Sequence, residues 1–194
     1  MARQFTKKFM TDKKTNRKQI LEKKLALRKQ LWPEIKENDL WNHKGRDGFT
    51  PIPRVMPLVL QIMDDLAGRP VASTYLDLWC RKWEEQFVTL NRPAREYAFY
   101  AGFPGQRGEQ TWKERVRLLA ELGFIKVEKG AHGKFTYVLI LNPLNTIQFH
   151  TEKGTPGLRK EYVNTLLDRG NEVKAKDLLE LASLPPPSIL KPTK

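Results

Sequence analysis

Apolar residues in the middle of this chain recur at the spacing of a helix. They fall at i, i+3, i+4 and i+7, which predicts a short helix with a small-sided stripe that lets a second helix approach closely. The stripe consists of Ala94, Tyr97, Ala98 and Ala101. Asn91 is placed to cap the first free N–H groups of this helix, and Pro93 suits its first turn.

A glycine-rich turn over residues 102–108 separates this helix from a second one, which we predict from Glu109 to Leu122. Gly123 is placed to end the second helix in the left-handed conformation. The predicted buried stripe of the second helix consists of Trp112, Val116 and Leu119.

A β-hairpin is expected directly after the second helix. Its strands are predicted at Phe124–Glu128 and Phe135–Leu141, on either side of a turn at Gly130–Gly133. A short apolar run at Val88–Leu90 precedes the helix pair and is expected to be a further strand.

Two helices are predicted before this unit. The first runs from Arg54 to Ala67, where Pro57 is tolerable only in the first turn. The second runs from Ser73, as its cap, to about Glu85. We expect Cys80 to be a small buried side chain on the apolar face of this helix. That face consists of Leu76, Trp79, Cys80 and Trp83.

The N-terminal segment is basic. Residues 1–13 are expected to be disordered, and the pattern between Thr15 and Pro33 predicts a basic amphipathic helix. This helix either packs an apolar edge on the domain, contacts phosphates, or lies on a membrane surface. Residues 33–53 are expected to be a linker or an ordered loop. Its aromatic residues are expected either to pack on the core or to stack on bases.

The C-terminal segment is also predicted to be largely helical. Residues 145–154 are ambiguous, and Thr155–Pro156 begins a helix that Gly170–Asn171 interrupts. Residues 172–181 then continue helically. This helical pair either covers the domain or forms a homodimer or a contact with another protein.

The order of strand, helix, turn, helix and hairpin resembles the winged helix-turn-helix superfamily of DNA-binding proteins. The resemblance is carried by Val88–Leu90, the helix pair, the sequence Leu119–Ile125 and the hairpin ending in Leu141-Asn142-Pro143. That last ending also looks, more weakly, like the winged-helix replication initiators of plasmids and phages. The seven-residue turn over residues 102–108 departs from the short turn of typical helix-turn-helix units.

The resemblance implies an α+β, mostly helical fold with a winged helix-turn-helix core. The expected segments are a basic N-terminal arm and linker (1–50), the winged helix-turn-helix domain (51–143), and a C-terminal helical extension and tail (144–194).

Positive charge is concentrated in the arm. The chain has a formal net charge of +13, and residues 1–30 hold eleven Lys and Arg against two acidic residues. Such an excess predicts a polyanionic partner, with nucleic acid before an anionic membrane. No apolar run approaches the roughly 18 residues of a membrane span, and no apolar region typical of a secretory signal follows the basic residues. With one cysteine, a cytoplasmic protein is expected.

Little in the sequence predicts catalysis. The three histidines, His43, His132 and His150, are scattered and lack metal-ligand spacing. The glycines at 102, 105 and 108 lack the Lys-Ser/Thr ending of a phosphate-binding loop. We therefore expect no enzyme, no cofactor and no metal.

The resemblance assigns double-stranded DNA as the partner, with base reading by the second helix and backbone contact by the hairpin and arm. The base-reading candidates are Gln110, Lys113, Glu114 and Arg117. The backbone candidates are Arg107, Lys126, Lys129, His132, Lys134, Lys13, Lys14, Arg17, Lys18, Lys23 and Lys24. The expected role is a transcriptional regulator or a plasmid or phage replication or maintenance factor. The alternative is a protein-interaction module in a nucleoprotein complex.

Overall fold

The computed structural model describes residues 18–42, 45, 47–176 and 178. The expectations for residues 1–13, for Lys13, Lys14 and Arg17, for His43, and for the tail beyond residue 178 lie outside the described residues. The chain divides into two compact units, Met1–Gly48 and Phe49–Lys194.

The first unit contains the predicted basic helix. Residues 18–31 are helical (α1), and a short 3₁₀ helix (η1) spans Glu37–Asp39. Arg28 of α1 forms an ion pair with Glu37. The apolar side chains of α1 and its end are exposed by 41% to 61%. These side chains belong to Ile20, Leu21, Leu25, Leu27, Leu31 and Trp32.

The described part of the second unit combines six helices with one small sheet. Its elements are α2 (Met56–Ala67), α3 (Ala72–Arg81), β1 (Phe87–Thr89), α4 (Ala94–Tyr100), α5 (Gly108–Glu121), β2 (Ile125–Gly130), β3 (Gly133–Ile140), α6 (Pro143–Lys153) and α7 (Lys160–Val173). The three strands are antiparallel and lie in the order β1–β3–β2. The fold is therefore α+β and mostly helical, and its element order is compatible with a winged helix.

The sheet buries one face and exposes the other. Val138 of β3 is the register partner of both Val88 and Val127, and these side chains point to the core side. On the opposite side, Phe87 and Tyr137 stack with ring centroids 5.8 Å apart and remain partly exposed. The sheet thus presents an aromatic face to solvent.

The small-sided stripe of α4 packs against α5 as the sequence predicts. Ala98 and Ala101 are buried, and the Tyr97 ring stacks on Trp112 of α5 at a centroid distance of 5.6 Å. The cap differs from the prediction, because the N-cap of α4 is Pro93 and no side chain caps the helix. Instead, the backbone N–H of residue 92 donates to the Tyr97 hydroxyl.

The turn between α4 and α5 is fixed by close backbone packing. Gly102 has a φ of 88°, which favours glycine. A Cβ on Gly108 would collide with the backbone carbonyl oxygen of Phe103. The seven-residue turn therefore brings its two ends together without room for a side chain at the first residue of α5.

Helix α3 begins two residues earlier than predicted, with Val71 rather than Ser73 as its cap residue, and presents a different face. Oδ1 of Asp64 accepts hydrogen bonds from the backbone N–H groups of Val71 and Ala72, at 2.6 and 2.8 Å, so Asp64 and not Ser73 satisfies the start of α3. The buried residues of α3 are Thr74, Tyr75, Leu78 and Trp79.

Two side chains predicted to be inward on α3 are exposed instead. Cys80 is exposed, and Trp83 lies beyond the end of the helix with 79% of its surface exposed. The helix stops at Arg81 because Lys82 adopts an extended conformation.

The C-terminal helices pack on the rest of the second unit. The ambiguous stretch is helix α6, whose first turn is capped by the Asn142 side chain accepting from the Leu144 N–H. Helix α7 begins at Lys160 rather than Thr155 and continues unbroken past Gly170, contrary to the prediction. Gly170 is buried against Leu178, so the absence of a side chain there serves packing rather than interruption.

Helix α7 contacts α2 and is held there by polar and apolar groups. Leu166 is 3% exposed, and Arg159 makes a two-pronged ion pair with Asp65 at 2.7 Å. Helix α7 thus packs on its own domain, and a contact with a second copy or with another protein stays a prediction.

Candidate nucleic-acid interface

The outward face of α5 carries the four predicted base-reading residues. Their opposite face is buried through Trp112, Val116 and Leu119, as the apolar stripe predicts. Because residues three and four apart share a helix face, the exposed residues lie in one row. The exposed residues are Gln110, Lys113, Glu114 and Arg117.

Two of these residues are already paired with carboxylates on the same helix. Lys113 forms an ion pair with Glu109, and Nη1 of Arg117 lies 2.6 Å from Oε1 of Glu121. Both pairs have the i,i+4 spacing, so they were visible in the sequence. Helix α5 as a whole carries three basic and three acidic side chains and has no net charge.

Arg115 was not among the predicted site residues, and it is buried with 7% exposure. Its Nη1 lies 3.3 Å from Oε2 of Glu114, within ion-pair distance, but neither Nη1 nor Nε has a hydrogen-bond partner among the described residues. The predicted base-reading residue Glu114 therefore lies beside a buried arginine without forming a hydrogen bond with it. An arginine inside an apolar stripe gives no sequence signal of its own.

The β2–β3 hairpin carries cations that are not paired in this way. Its turn consists of Ala131 and His132, between the register partners Gly130 and Gly133. The predicted backbone residues of the hairpin are all exposed, and no carboxylate of the described residues lies within ion-pair distance of its lysines. They are Lys126, Lys129, His132 and Lys134.

Lys113 of α5 and the tip of the hairpin line one cleft, which we call the α5–hairpin cleft. His132 and Lys134 come from the hairpin, and Arg92 comes from the segment before α4. Its apolar wall includes Leu90, Pro93, Ala94, Tyr97, Trp112 and Phe135. The structure thus joins three of the predicted site residues with Arg92, which sequence reasoning missed because it lies outside both elements.

Arg92 is held in place at the edge of the cleft. Its Nη1 lies 3.1 Å from Oε2 of Glu96. This hydrogen bond raises the pKa of the Arg92 guanidinium. The cleft therefore receives basic side chains from three different segments of the chain.

The remaining predicted residues lie elsewhere. Arg107 is exposed at the N-cap of α5, and neither it nor Arg117 lines the cleft. Lys126 borders a separate hollow beside Phe149 and His150. The described arm lysines, Lys18, Lys23 and Lys24, are exposed on α1 in the first unit.

Comparisons with protein-family models, with curated proteins and with solved structures gave no match. Among the residues that the structure describes, no cluster of His, Cys, Asp or Glu has the geometry to hold a metal ion. Nor does any helix in the described part of the chain combine the length and apolar character that crossing a membrane requires.

His150, one of the scattered histidines, is buried and contacts a polar partner through each ring nitrogen. It is 6% exposed, its Nε2 lies 2.8 Å from the carbonyl oxygen of Leu122, and its Nδ1 lies 2.9 Å from the Thr155 hydroxyl. Because a carbonyl only accepts, Nε2 carries a proton and donates. His150 therefore joins the end of α5 to the end of α6.

Proposed function

We propose that this chain is a winged helix-turn-helix protein that binds double-stranded DNA in a sequence-specific manner. In this proposal α4 and α5 form the helix-turn-helix unit, and the β2–β3 hairpin is the wing. The order of the elements and the β1–β3–β2 sheet support this assignment. The protein acts in the cytoplasm by binding, as a transcriptional regulator or a plasmid or phage replication or maintenance factor, and not as an enzyme.

The observation that carries the proposal is the α5–hairpin cleft. Lys113 on α5 and Lys134 on the hairpin face the same depression although they are far apart in sequence. A helix that enters the major groove needs cations beside it to hold the flanking phosphates. The exposed lysines of the hairpin are suited to that need, and the position of Lys134 in the cleft supports a common surface with α5.

The ion pairs on α5 define how the helix would read bases. An exposed i,i+4 pair contributes only about 0.3–0.5 kcal/mol, so a base edge or phosphate can replace the carboxylate at small cost. Arg117 would then leave Glu121 and form two hydrogen bonds with a guanine. The same pairs keep α5 neutral off its target, which favours discrimination over general attraction to DNA.

The test is selection from a random duplex library, followed by affinity measurements at one fixed salt concentration. We expect Arg117→Ala to lose about 1–3 kcal/mol on the preferred sequence and to relax the choice of base at one position. Lys129→Ala is the matched control, because Lys129 is exposed on the hairpin and should weaken all sequences alike. If the wild-type protein enriches no sequence, α5 does not read bases.

A second candidate function is a protein-interaction module in a nucleoprotein complex. It is favoured by the exposed sheet face, where the stacked Phe87 and Tyr137 lie beside the 39% exposed Leu139. Adjoining exposed apolar side chains of this kind are typical of protein contacts. Phe87→Ser with Tyr137→Ser distinguishes the two functions: unchanged DNA binding combined with loss of a partner in a pull-down supports the interaction module.

A further inference from the structure

The α5–hairpin cleft is large enough for a small molecule. Its volume is about 440 Å³, which is in the range of small-molecule sites. Trp112 forms part of its wall and is 2% exposed, and its buried Nε1 has no acceptor among the described residues. A buried N–H group without an acceptor is unfavourable, so this wall of the cleft is not fully satisfied in the free protein.

The charges around the cleft favour an anionic ligand. Arg92, Lys113 and Lys134 are the basic side chains of the lining, and Glu109 is the one carboxylate among the lining residues, with His132 as an additional polar group. Lys113 is paired with Glu109, and Arg92 is paired with Glu96 outside the lining, whereas Lys134 has no carboxylate partner among the described residues. A phosphate monoester carries about −1.5 to −2 charges at neutral pH, and it can replace the carboxylate of an exposed i,i+4 pair at small cost.

The rest of the lining favours an aromatic group next to that phosphate. Half of the twelve lining residues are apolar. Phe135 and Ala94 are only partly buried and line the cleft, while Tyr97 is buried in its stack with Trp112. Planar bases pack well on aromatic and apolar side chains of this kind.

We propose that the α5–hairpin cleft binds a nucleoside monophosphate unit. The phosphate contacts Lys134, His132 and Lys113, and the base lies against Phe135. The same chemistry occurs in a free nucleotide and at the 5′-phosphorylated end of a nucleic-acid strand. This inference goes beyond sequence-specific duplex binding and does not depend on it, because the cleft would take its ligand in the absence of duplex.

Titration calorimetry on the full chain without DNA tests the proposal. Each of the four common nucleoside monophosphates is titrated in turn, and we expect at least one to bind saturably at one site. The corresponding nucleoside, which lacks the phosphate, and ribose 5-phosphate, which lacks the base, should each bind at least about tenfold more weakly.

The residue assignment is tested on exposed positions, whose replacement leaves the core unchanged. Lys134→Ala and His132→Ala should each weaken nucleotide binding, by at least about tenfold for Lys134→Ala. Lys129→Ala is the matched control and should leave nucleotide binding unchanged, since Lys129 is exposed on the same hairpin but does not line the cleft.

A hairpin duplex with and without a 5′-phosphate distinguishes the two sources of the ligand. If only the phosphorylated form of this DNA hairpin displaces the bound nucleotide, the cleft binds strand ends. If neither form displaces it, the cleft binds free nucleotide.

The proposal is overturned if no monophosphate and no phosphorylated end binds saturably. It is also overturned if Lys134→Ala and Lys129→Ala behave alike. Loss of sequence selection on duplex DNA alone would overturn the proposed function and leave this site standing.

Discussion

Single glycines decide how α4 and α5 meet. The turn contains three glycines at positions 102, 105 and 108, but only Gly108 lies so close to a backbone atom that a side chain is excluded. The regular spacing of these glycines is also that of a loop that could hold a phosphate. Backbone packing against Phe103 is a sufficient physical reason for the glycine at 108.

Gly108→Ala should therefore destabilise the fold although alanine favours helices. We expect a loss of about 1–3 kcal/mol in the free energy of unfolding, because the new Cβ collides with the Phe103 carbonyl and the backbone must shift. Gly105→Ala is the matched control, since a Cβ there meets nothing within 4 Å and its φ is not positive. Chemical denaturation of the two variants is the measurement, and equal stabilities would contradict the role given to Gly108.

Several residues could be assigned from the sequence because their signals are local. Gly123 ends α5 with a φ of 80°, and Trp112 is buried, as the helical stripe predicts. The predictions for Cys80 and Trp83 are wrong because the buried face of α3 runs through Tyr75, Leu78 and Trp79, and because the helix ends at Arg81, before Trp83. Tertiary packing sets which side of a helix meets the core, and the apolar spacing of residues 76–83 does not report it.

At the scale of elements, part of the candidate site also follows from local sequence signals, and part of it does not. The exposed row on α5 follows from its apolar stripe, and the Glu109–Lys113 and Glu121–Arg117 pairs follow from i,i+4 spacing. The α5–hairpin cleft could not be predicted in this way. It depends on how the segment before α4, helix α5 and the hairpin approach each other, which is set by the stacking of Tyr97 on Trp112 and by the sheet register.

The intrahelical ion pairs of α5 give a prediction for DNA affinity. Glu121→Gln releases Arg117 and gives α5 a net positive charge, so we expect duplex affinity to rise by about threefold or more at low salt. Glu161→Gln adds the same charge at an exposed position on α7 and is the matched control. Fluorescence anisotropy at several salt concentrations is the measurement, and equal effects of the two variants would mean that α5 does not contact the duplex.

Helix α1 gives a second prediction at this scale. Replacing Lys18, Lys23 and Lys24 together with Gln should lower duplex affinity and flatten its dependence on salt, since each phosphate that a lysine neutralises adds about one unit to the log–log slope. The unfolding transition of residues 49–194 should stay unchanged, because this unit has its own core. An unchanged salt slope would assign α1 to packing or to another polyanion, such as an anionic membrane surface.

At the scale of the whole molecule, the charge is divided between the two units. Residues 1–48 hold fourteen basic and six acidic residues, whereas residues 49–194 hold twenty-one basic and sixteen acidic residues. The first unit therefore has the higher net positive charge per residue, and the second unit contains the α5–hairpin cleft. In the proposed function, general affinity and selectivity come from different parts of the chain.

The C-terminal helix is part of the second unit's core rather than an appendage. We expect truncation after Gly154 to lower the free energy of unfolding, because it removes the buried Leu166 side chain and leaves Asp65 without Arg159. Burying one large apolar side chain contributes about 1.5–3 kcal/mol, and the truncation removes several such side chains together.

A milder pair of variants separates this packing role from a role in association. Leu166→Ala should cost about 2–5 kcal/mol, whereas Asp168→Ala, exposed on the same helix, should stay within about 0.5 kcal/mol of the wild type. Sedimentation of the full chain and of the truncated chain completes the test. If truncation converts a dimer into a monomer while Leu166→Ala leaves unfolding unchanged, α7 would serve association between copies, and its packing on α2 would not be what stabilises the protein.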